Sequence, residues 1–405
     1  MLTYKEKAAL IKSLLSNLQI IKASPSLIMY LIQYMSKFRI INRGGDFIIH
    51  SHLPPVNSKA YTRFIDEHLL ANTKGPSHAQ IGITNICPQN CEYCYNKKRT
   101  GKVMDKVTIK RAVTDLKNMG VFWLGLTGGE PLMNKDIIEI VESASDGCAV
   151  KLFTTGCKLT RQLATDLRNA GLFSASISLD HWKSTEHDRS RNYRGAFHTA
   201  LKAIDIFRNS CNMHLSVSAV LSNNMIKQWK VEEFLEFLIG LGIDEAWLSE
   251  AKPSSEVFWK DDYVINEDER LGLIKLQDKY NKDGRITVNY LGHFESGEHF
   301  GCNAGHKMIY IDAFGEVSPC VFIPATLGNI KEKSVQNIWE DMTRHFPSES
   351  SCFINKNYKI LKKYYQGVTP IDYENTLKIL SETKFGPLSR FSKLNMEKEK
   401  NIGNI

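Results

Sequence analysis

From Ala79 onward the chain alternates between short apolar runs and longer amphipathic stretches. The runs Gln80–Thr84, Val121–Leu126, Val150–Thr154, Phe173–Leu179, His214–Leu221 and Glu245–Leu248 have the length and composition of buried strands. Between them, Val107–Met119, Lys135–Ser145, Thr160–Asn169, Ala196–Asn209 and Lys227–Leu241 place apolar residues at helical spacing. Six strand–helix steps in succession predict an α/β fold wound on a parallel sheet. A closed barrel of this kind uses eight steps. Six predict a partial (β/α)6 barrel, open on one side.

Upstream, residues 4–22 carry Leu10, Leu14, Leu15, Leu18 and Ile21 at helical spacing; Pro25 breaks the pattern and Leu27–Ile41 resumes it. Phe47–His50 reads as a short strand, Pro54-Pro55 as a stiff turn and Ala60–Leu70 as a helix. The expected organisation is an N-terminal helical segment (1–45), a strand and helix leading in (46–77), the barrel (78–290), an α+β extension (291–365), and a C-terminal helix with a flexible tail (366–405). Charge changes the picture at one end only. The net charge is +8, and residues 1–43 hold seven Lys or Arg against one acid, Glu6. The excess is not a groove on the core, so no nucleic-acid partner is expected. Two readings of residues 1–43 stay open: helices packed on the core, or a basic amphipathic element on an anionic membrane surface.

Parallel α/β folds carry their sites at the C-terminal ends of the strands. On that rim the chain places its polar and glycine-rich clusters. Cys87, Cys91 and Cys94 follow the first strand, spaced Cys-x3-Cys-x2-Cys, and Thr127-Gly128-Gly129-Glu130-Pro131 follows the second. Thr154-Thr155-Gly156, Ser176–Asp180, Ser222-Asn223-Asn224 and Ser249-Glu250-Ala251-Lys252 follow the others. Three close thiolates suit a soft metal centre, a cubane iron–sulfur cluster foremost, with one iron lacking a cysteine. A zinc site would need a fourth Cys or His at matching spacing, and none lies near. Gly128-Gly129 lets backbone approach a ligand without a Cβ in the way, and Glu130 offers an acceptor for an ammonium. Nine cysteines, three of them clustered, are not a disulfide framework, which points to a reducing cytoplasm. No signal peptide is evident, and the longest apolar run near the N-terminus, Leu27–Ile32, is too short to span a bilayer.

Cys87-x3-Cys91-x-Tyr93-Cys94 followed by Thr127-Gly128-Gly129-Glu130-Pro131, on successive strands, resembles the radical S-adenosylmethionine (radical SAM) superfamily over roughly residues 78–345. The resemblance implies that Cys87, Cys91 and Cys94 hold a [4Fe-4S] cluster whose open iron is chelated by SAM. It implies reductive cleavage of SAM to methionine and a 5′-deoxyadenosyl radical that abstracts hydrogen from a substrate. It further implies that Tyr93 shields the cluster or contacts adenine, and that Gly128, Gly129 and Glu130 meet the methionyl amino group. Thr155 would face the ribose, Ser178 and Asp180 would lie near ribose and methionine, and Arg191 would pair with the SAM carboxylate. A flavodoxin or ferredoxin is the expected electron donor.

Farther on, Gly301-Cys302-Asn303-Ala304-Gly305 and Tyr310–Cys320, with Leu327–Ile330 and Trp339, are similar to the SPASM and twitch extensions of that superfamily, which hold auxiliary iron–sulfur clusters. Only Cys352 follows, so the resemblance implies one auxiliary cluster on Cys302, Cys320 and Cys352, its fourth site open or non-cysteine, with His306 a candidate. Cys148, Cys157 and Cys211 have no partner spacing and read as buried thiols, although Cys157 lies near the rim. Relatives with such an extension commonly modify ribosomal peptides or proteins, so a maturase is the leading expectation. A membrane-surface enzyme acting on lipid is the alternative, in which case a cytoplasmic protein would sit at the inner face of the membrane. A non-enzymatic iron–sulfur or zinc module is the third, and it predicts no SAM cleavage.

Overall fold

The computed structural model describes residues 3–70 and 73–395. All six predicted strands form, with small shifts at their ends: β3 (His78–Gly82), β4 (Trp123–Thr127), β5 (Ala149–Thr154), β6 (Leu172–Ser178), β7 (His214–Leu221) and β8 (Glu245–Glu250), after a separate hairpin of β1 (Ile41–Arg43) and β2 (Asp46–Ile48). They pair parallel in chain order. Three further strands widen the sheet to nine. β9 (Thr287–Tyr290) adds in parallel beyond β8. β10 (Met308–Ile311) returns to pair in parallel with β3, Tyr310 opposite Gln80, and β11 (Val317–Ser318) closes that edge antiparallel. The extension thus continues the barrel's own sheet.

The helices follow from caps as much as from apolar faces. Asp105 and Thr160 accept the N–H groups of Thr108 and Leu163 at the starts of Lys106–Asn118 and Arg161–Asn169. The expected helix Lys227–Leu241 is instead two, Asn223–Lys227 and Val231–Gly240, because Trp229 turns the backbone left-handed at φ 53° and sets its indole against Gly272. Ser184–Arg191 forms a helix that no amphipathic pattern announces; its buried residues, His187 and Arg191, are polar and held by partners elsewhere.

At the N-terminus, Tyr4–Leu15 is closed by a Thr3/Glu6 capping box and buries no side chain. Pro25–Met35 buries Leu27, Tyr30, Leu31 and Tyr34 among Phe47, Ile49, Val56, Tyr61 and Ile65. The packed reading therefore holds for the second helix, whereas the first is tied down by the half-buried Leu10, packed against the same cluster, and by Glu6, which accepts from the Asn42 amide at 2.8 Å. That second helix stops at Met35, short of the expected Ile41. Ile41–Arg43 is strand, because Gly44 and Gly45, at φ 59° and 93°, make the mirror-image turn that matches strand twist. Arg43 then pairs with Asp244 beneath β8, tying this hairpin to the barrel. The predicted helix Ala60–Leu70 begins at Lys59 and widens into a π turn over Phe64–Leu69.

Ser51, between the hairpin and the barrel, plugs the barrel's lower end. Its N–H donates to Glu245 (2.7 Å), its carbonyl accepts from the Trp123 indole (2.7 Å), and its hydroxyl accepts from Lys151 (2.5 Å). Burial pushes the Lys151 amine down to about 7, and the Trp247 ring lies 3.6 Å beneath it. Outside the sheet, one apolar core joins the barrel helices to the helices Val335–His345, Phe353–Tyr364 and Tyr373–Glu382. Phe391 packs on Phe300 and Tyr30, joining the C-terminal region to the N-terminal helices. The expected tail around Met396–Lys400 lies outside the described residues.

Candidate cofactor site

β3 ends at Gly82, and the loop that follows carries Cys87, Cys91 and Cys94 without helix or strand to hold it. The neighbouring turn supplies the support. Gly129 N–H donates to Thr84 O (2.6 Å), Glu130 N–H to Ile86 O (2.7 Å) and the Asn134 amide to Ile83 O (2.7 Å). The glycines are needed for this approach: a Cβ on Gly128, at φ 127°, would lie 2.3 Å from Thr84 O, and one on Gly129 2.3 Å from Ile86 O. The close approach expected toward a ligand is thus made first to the cysteine loop.

Glu130 is fully buried, and both carboxylate oxygens are engaged. One accepts from the Thr154 hydroxyl (2.5 Å) and Leu132 N–H (3.0 Å), the other from the Thr155 N–H (2.6 Å) and hydroxyl (2.5 Å). A carboxylate has about four acceptor sites, so all are taken. Burial nevertheless raises its pKa, against the opposing effect of those bonds. Glu130 and Thr155 together brace β4 against β5. The expected ammonium contact of Glu130 has no vacant lone pair here, and the Thr155 hydroxyl already donates to Glu130.

Asp180 and Arg191 meet each other. The guanidinium donates through Nε and Nη2 to the two Asp180 oxygens at 2.8 Å each, and Asp180 also accepts from Tyr93 OH, Ser190 (3.1 Å) and Val220 N–H (3.0 Å). Burial alone would raise the Asp180 carboxyl; the Arg191 guanidinium, with His187, keeps it below its ordinary value. The remaining Arg191 nitrogen, Nη1, lies 4.0 Å from Cys91 Sγ, its guanidinium sits over the Tyr93 ring, and its carbonyl accepts from Asn90 N–H (3.1 Å). Asp180 is thus a brace behind the site, orienting Arg191 and Tyr93. Burial pushes the Cys87 thiol up to about 12 and raises Cys91 and Cys94 as well, so loading a metal centre here must displace protons.

A cavity of about 250 Å³ opens beside this loop, lined by Cys87, Cys91, Tyr93, Cys94, Gly128, Gly129, Glu130, Thr155, Ser178 and Arg191. The same cavity reaches Cys302, Cys320 and Cys352 and is walled by Trp123, Phe153, Trp247, Phe294 and Phe322. Cys302 N–H donates to Glu349 O (2.7 Å), and Cys302 Sγ accepts from the N–H of Phe353, the first residue of a helix that Cys352 caps (3.5 Å). Burial pushes Cys302 and Cys320 up to about 12 and raises Cys352 further.

The fold therefore brings together both cysteine triplets and every residue expected to contact SAM except Asp180, which stands behind the cavity wall; the rim cluster Ser222-Asn223-Asn224 does not line the cavity. No three Cys, His, Asp or Glu side chains among the described residues are arranged to hold a single metal ion. Three soft donors on the one loop of Cys87, Cys91 and Cys94 suit an iron–sulfur cluster. His306 does not line the cavity, whereas Lys252 and Glu295 do. Those two, with Glu250, are charged groups lining the cavity that sequence reasoning left without a role; the signal was a Glu-x-Lys pair at the end of a buried strand. Cys148 and Cys211 donate to the carbonyls of Val121 (3.0 Å) and Phe207 (3.3 Å) and lie off the cavity, as does Cys157.

A profile of the radical SAM superfamily matches residues 81–238, and one of the SPASM iron–sulfur cluster-binding domain matches residues 302–359. The AdoMet-dependent heme synthase of Methanosarcina barkeri is 26% identical over 297 residues, 67% of this chain and 84% of that protein. The PqqA peptide cyclase of Bradyrhizobium diazoefficiens is 31% identical over 173 residues, 42% of this chain and 45% of the cyclase. Among solved structures, Streptococcus suis SuiB bound to precursor peptide SuiA shares the fold at a TM-score of 0.56 and 17% identity, over 76% of this chain and 72% of SuiB.

Proposed function

This chain is a radical SAM enzyme with a SPASM domain behind its barrel, and we propose that it is a maturase whose substrate is a peptide or protein side chain. The observation that carries this reading is the shared cavity: both cysteine triplets face one apolar-walled space that an extended substrate can enter. The likeness to the PqqA peptide cyclase supports the substrate class. Cys87, Cys91 and Cys94 would hold the first [4Fe-4S] cluster, and Cys302, Cys320 and Cys352 the auxiliary one. When bound, the first cluster and SAM supply one-electron cleavage and the hydrogen-abstracting radical. The protein's part is to position and to exclude water. Gly129 and Glu130 hold the cysteine loop through their N–H groups to Thr84 O and Ile86 O, which positions the three thiols. Asp180 fixes Arg191 so that one guanidinium nitrogen faces Cys91 and the cavity. Trp247, Phe153 and Phe294 keep the substrate end apolar.

The test is anaerobic reconstitution with dithionite reduction, reading 5′-deoxyadenosine and the mass of short peptides encoded beside the gene. Cys320→Ala should keep uncoupled SAM cleavage while product formation falls by at least about 100-fold, about 2.7 kcal/mol of transition-state stabilisation. Full product formation by that variant would show the auxiliary centre idle. A flavodoxin or ferredoxin donor and a cytoplasmic location complete the proposal.

One observation favours a peripheral membrane contact as a second reading. Ile11, Leu14, Leu15, Leu18 and Ile21 are 44–70% exposed, beside exposed Lys5, Lys7, Lys12 and Lys22. Apolar faces rimmed with lysine suit an anionic surface, although no described helix is long and apolar enough to cross a membrane. The full chain should float with phosphatidylserine vesicles, and Leu15→Glu/Ile21→Glu should not. Residues 25–43 belong to the core and to the Arg43–Asp244 tie, so point substitutions test this better than truncation. Equal recovery of both proteins in the vesicle-free fraction removes the lipid reading.

A further inference from the structure

Lys252 lies two residues beyond β8 with its side chain fully buried. An ammonium has three N–H donors and no acceptor. Here all three have partners: Glu250 Oε1 at 2.9 Å, Glu295 Oε2 at 2.9 Å and Cys352 Sγ at 3.5 Å. Removing an ammonium from water costs several kcal/mol unless counter-charges are close, and the two carboxylates provide them. The carboxylates also come from different elements, Glu250 from the end of β8 and Glu295 from the turn after the short helix Leu291–Phe294. Asn355, from the helix that Cys352 caps, donates to Glu250 as well (3.2 Å). The ammonium is therefore held from two sides and aimed at one sulfur, and no N–H is left over for a substrate.

Positive charge and N–H donors directed at a cluster's sulfurs favour its reduced, more negative state. We propose that Lys252 is a positioning residue that raises the reduction potential of the auxiliary cluster through Cys352, with Glu295 as the opposing charge that sets how far. The inference rests on the reading that Cys302, Cys320 and Cys352 hold that cluster. It assigns a cause to the buried Glu-x-Lys pair and predicts two effects of opposite sign.

The full chain carrying Cys87→Ala, Cys91→Ala and Cys94→Ala isolates the second centre for iron analysis and a redox titration followed by electron paramagnetic resonance. In that background, Lys252→Met should lower the equilibrium constant for reduction at least about tenfold, about 59 mV for one electron. Glu295→Gln should move it upward, and Lys252→Arg should keep most of the parental value. No iron in the parental triple variant would overturn the cluster reading and this inference with it. Iron retained, with Lys252→Met and Glu295→Gln unshifted or shifted in the same direction, would overturn the role of Lys252 alone. If Lys252→Met does not fold, the sign of the Glu295→Gln shift decides.

Discussion

Cys94→Ala is expected to abolish reductive cleavage of SAM. Cys94 sits one turn from Cys91, its N–H donating to Cys91 O at 3.3 Å, and lines the cavity beside Cys87, Gly128 and Arg191. Removing it leaves two thiols where a cubane needs at least three cysteines and one exchangeable site. The side chain is small and half-buried, so little packing is lost. The expected result is loss of one cluster's iron and a fall in 5′-deoxyadenosine of at least about a thousandfold, about 4 kcal/mol, with thermal stability of the metal-free protein unchanged. A variant that keeps its iron and its cleavage rate would show that the electron enters SAM elsewhere.

The second large effect concerns the joint between the two cysteine sites. Arg99 lies five residues beyond Cys94, and Asp312 directly follows β10. Both side chains are completely buried, with Nη1 3.0 Å from Oδ2. Nη2 donates to Ser318 (3.3 Å), and the guanidinium lies 5.2 Å from the Tyr310 ring centre. Asp312 is also held by the N–H groups of Phe314 (2.8 Å) and Glu316 (3.0 Å). Removing one partner of such a pair leaves the other charged and dry, which costs about 3–5 kcal/mol. Arg99→Ala should therefore lower unfolding free energy by that amount in urea titrations. Arg99→Met/Asp312→Leu should recover part of it, because the stranded charge is gone. A loss under about 1 kcal/mol in Arg99→Ala would mean that water reaches Asp312 and that the two sites are not joined here.

How far the site was legible differs residue by residue. Cys87, Cys91, Cys94 and the Gly-Gly turn reach one cavity as their places after strand ends required, and Arg191 joins them from the end of the helix Ser184–Arg191. What they touch was not legible. Glu130 looked like a free acceptor because a sequence shows a carboxylate and not the four donors around it. Asp180 and Arg191 looked like two ligand contacts, yet lie close enough to neutralise each other. Lys252 and Glu295 stand 43 positions apart, and nothing local to either announces the other.

The sequence by itself determined the six strand–helix steps, their parallel order and the placing of Cys87, Cys91 and Cys94 after the first strand, because periodicity and spacing are local properties that burial reads directly. It also determined that the N-terminal segment would be helical, basic and apolar on one face. Only the tertiary structure decided that β10 would pair with β3 and so bring Cys302, Cys320 and Cys352 to the cavity of Cys87, Cys91 and Cys94. Parallel pairing between strands 230 positions apart, Met308 opposite His78, is chosen by which sheet edge is free. The polar partners of Glu130, Asp180 and Lys252 were decided in the same way, because Thr155, Arg191 and Glu295 each belong to a different element from the residue they hold.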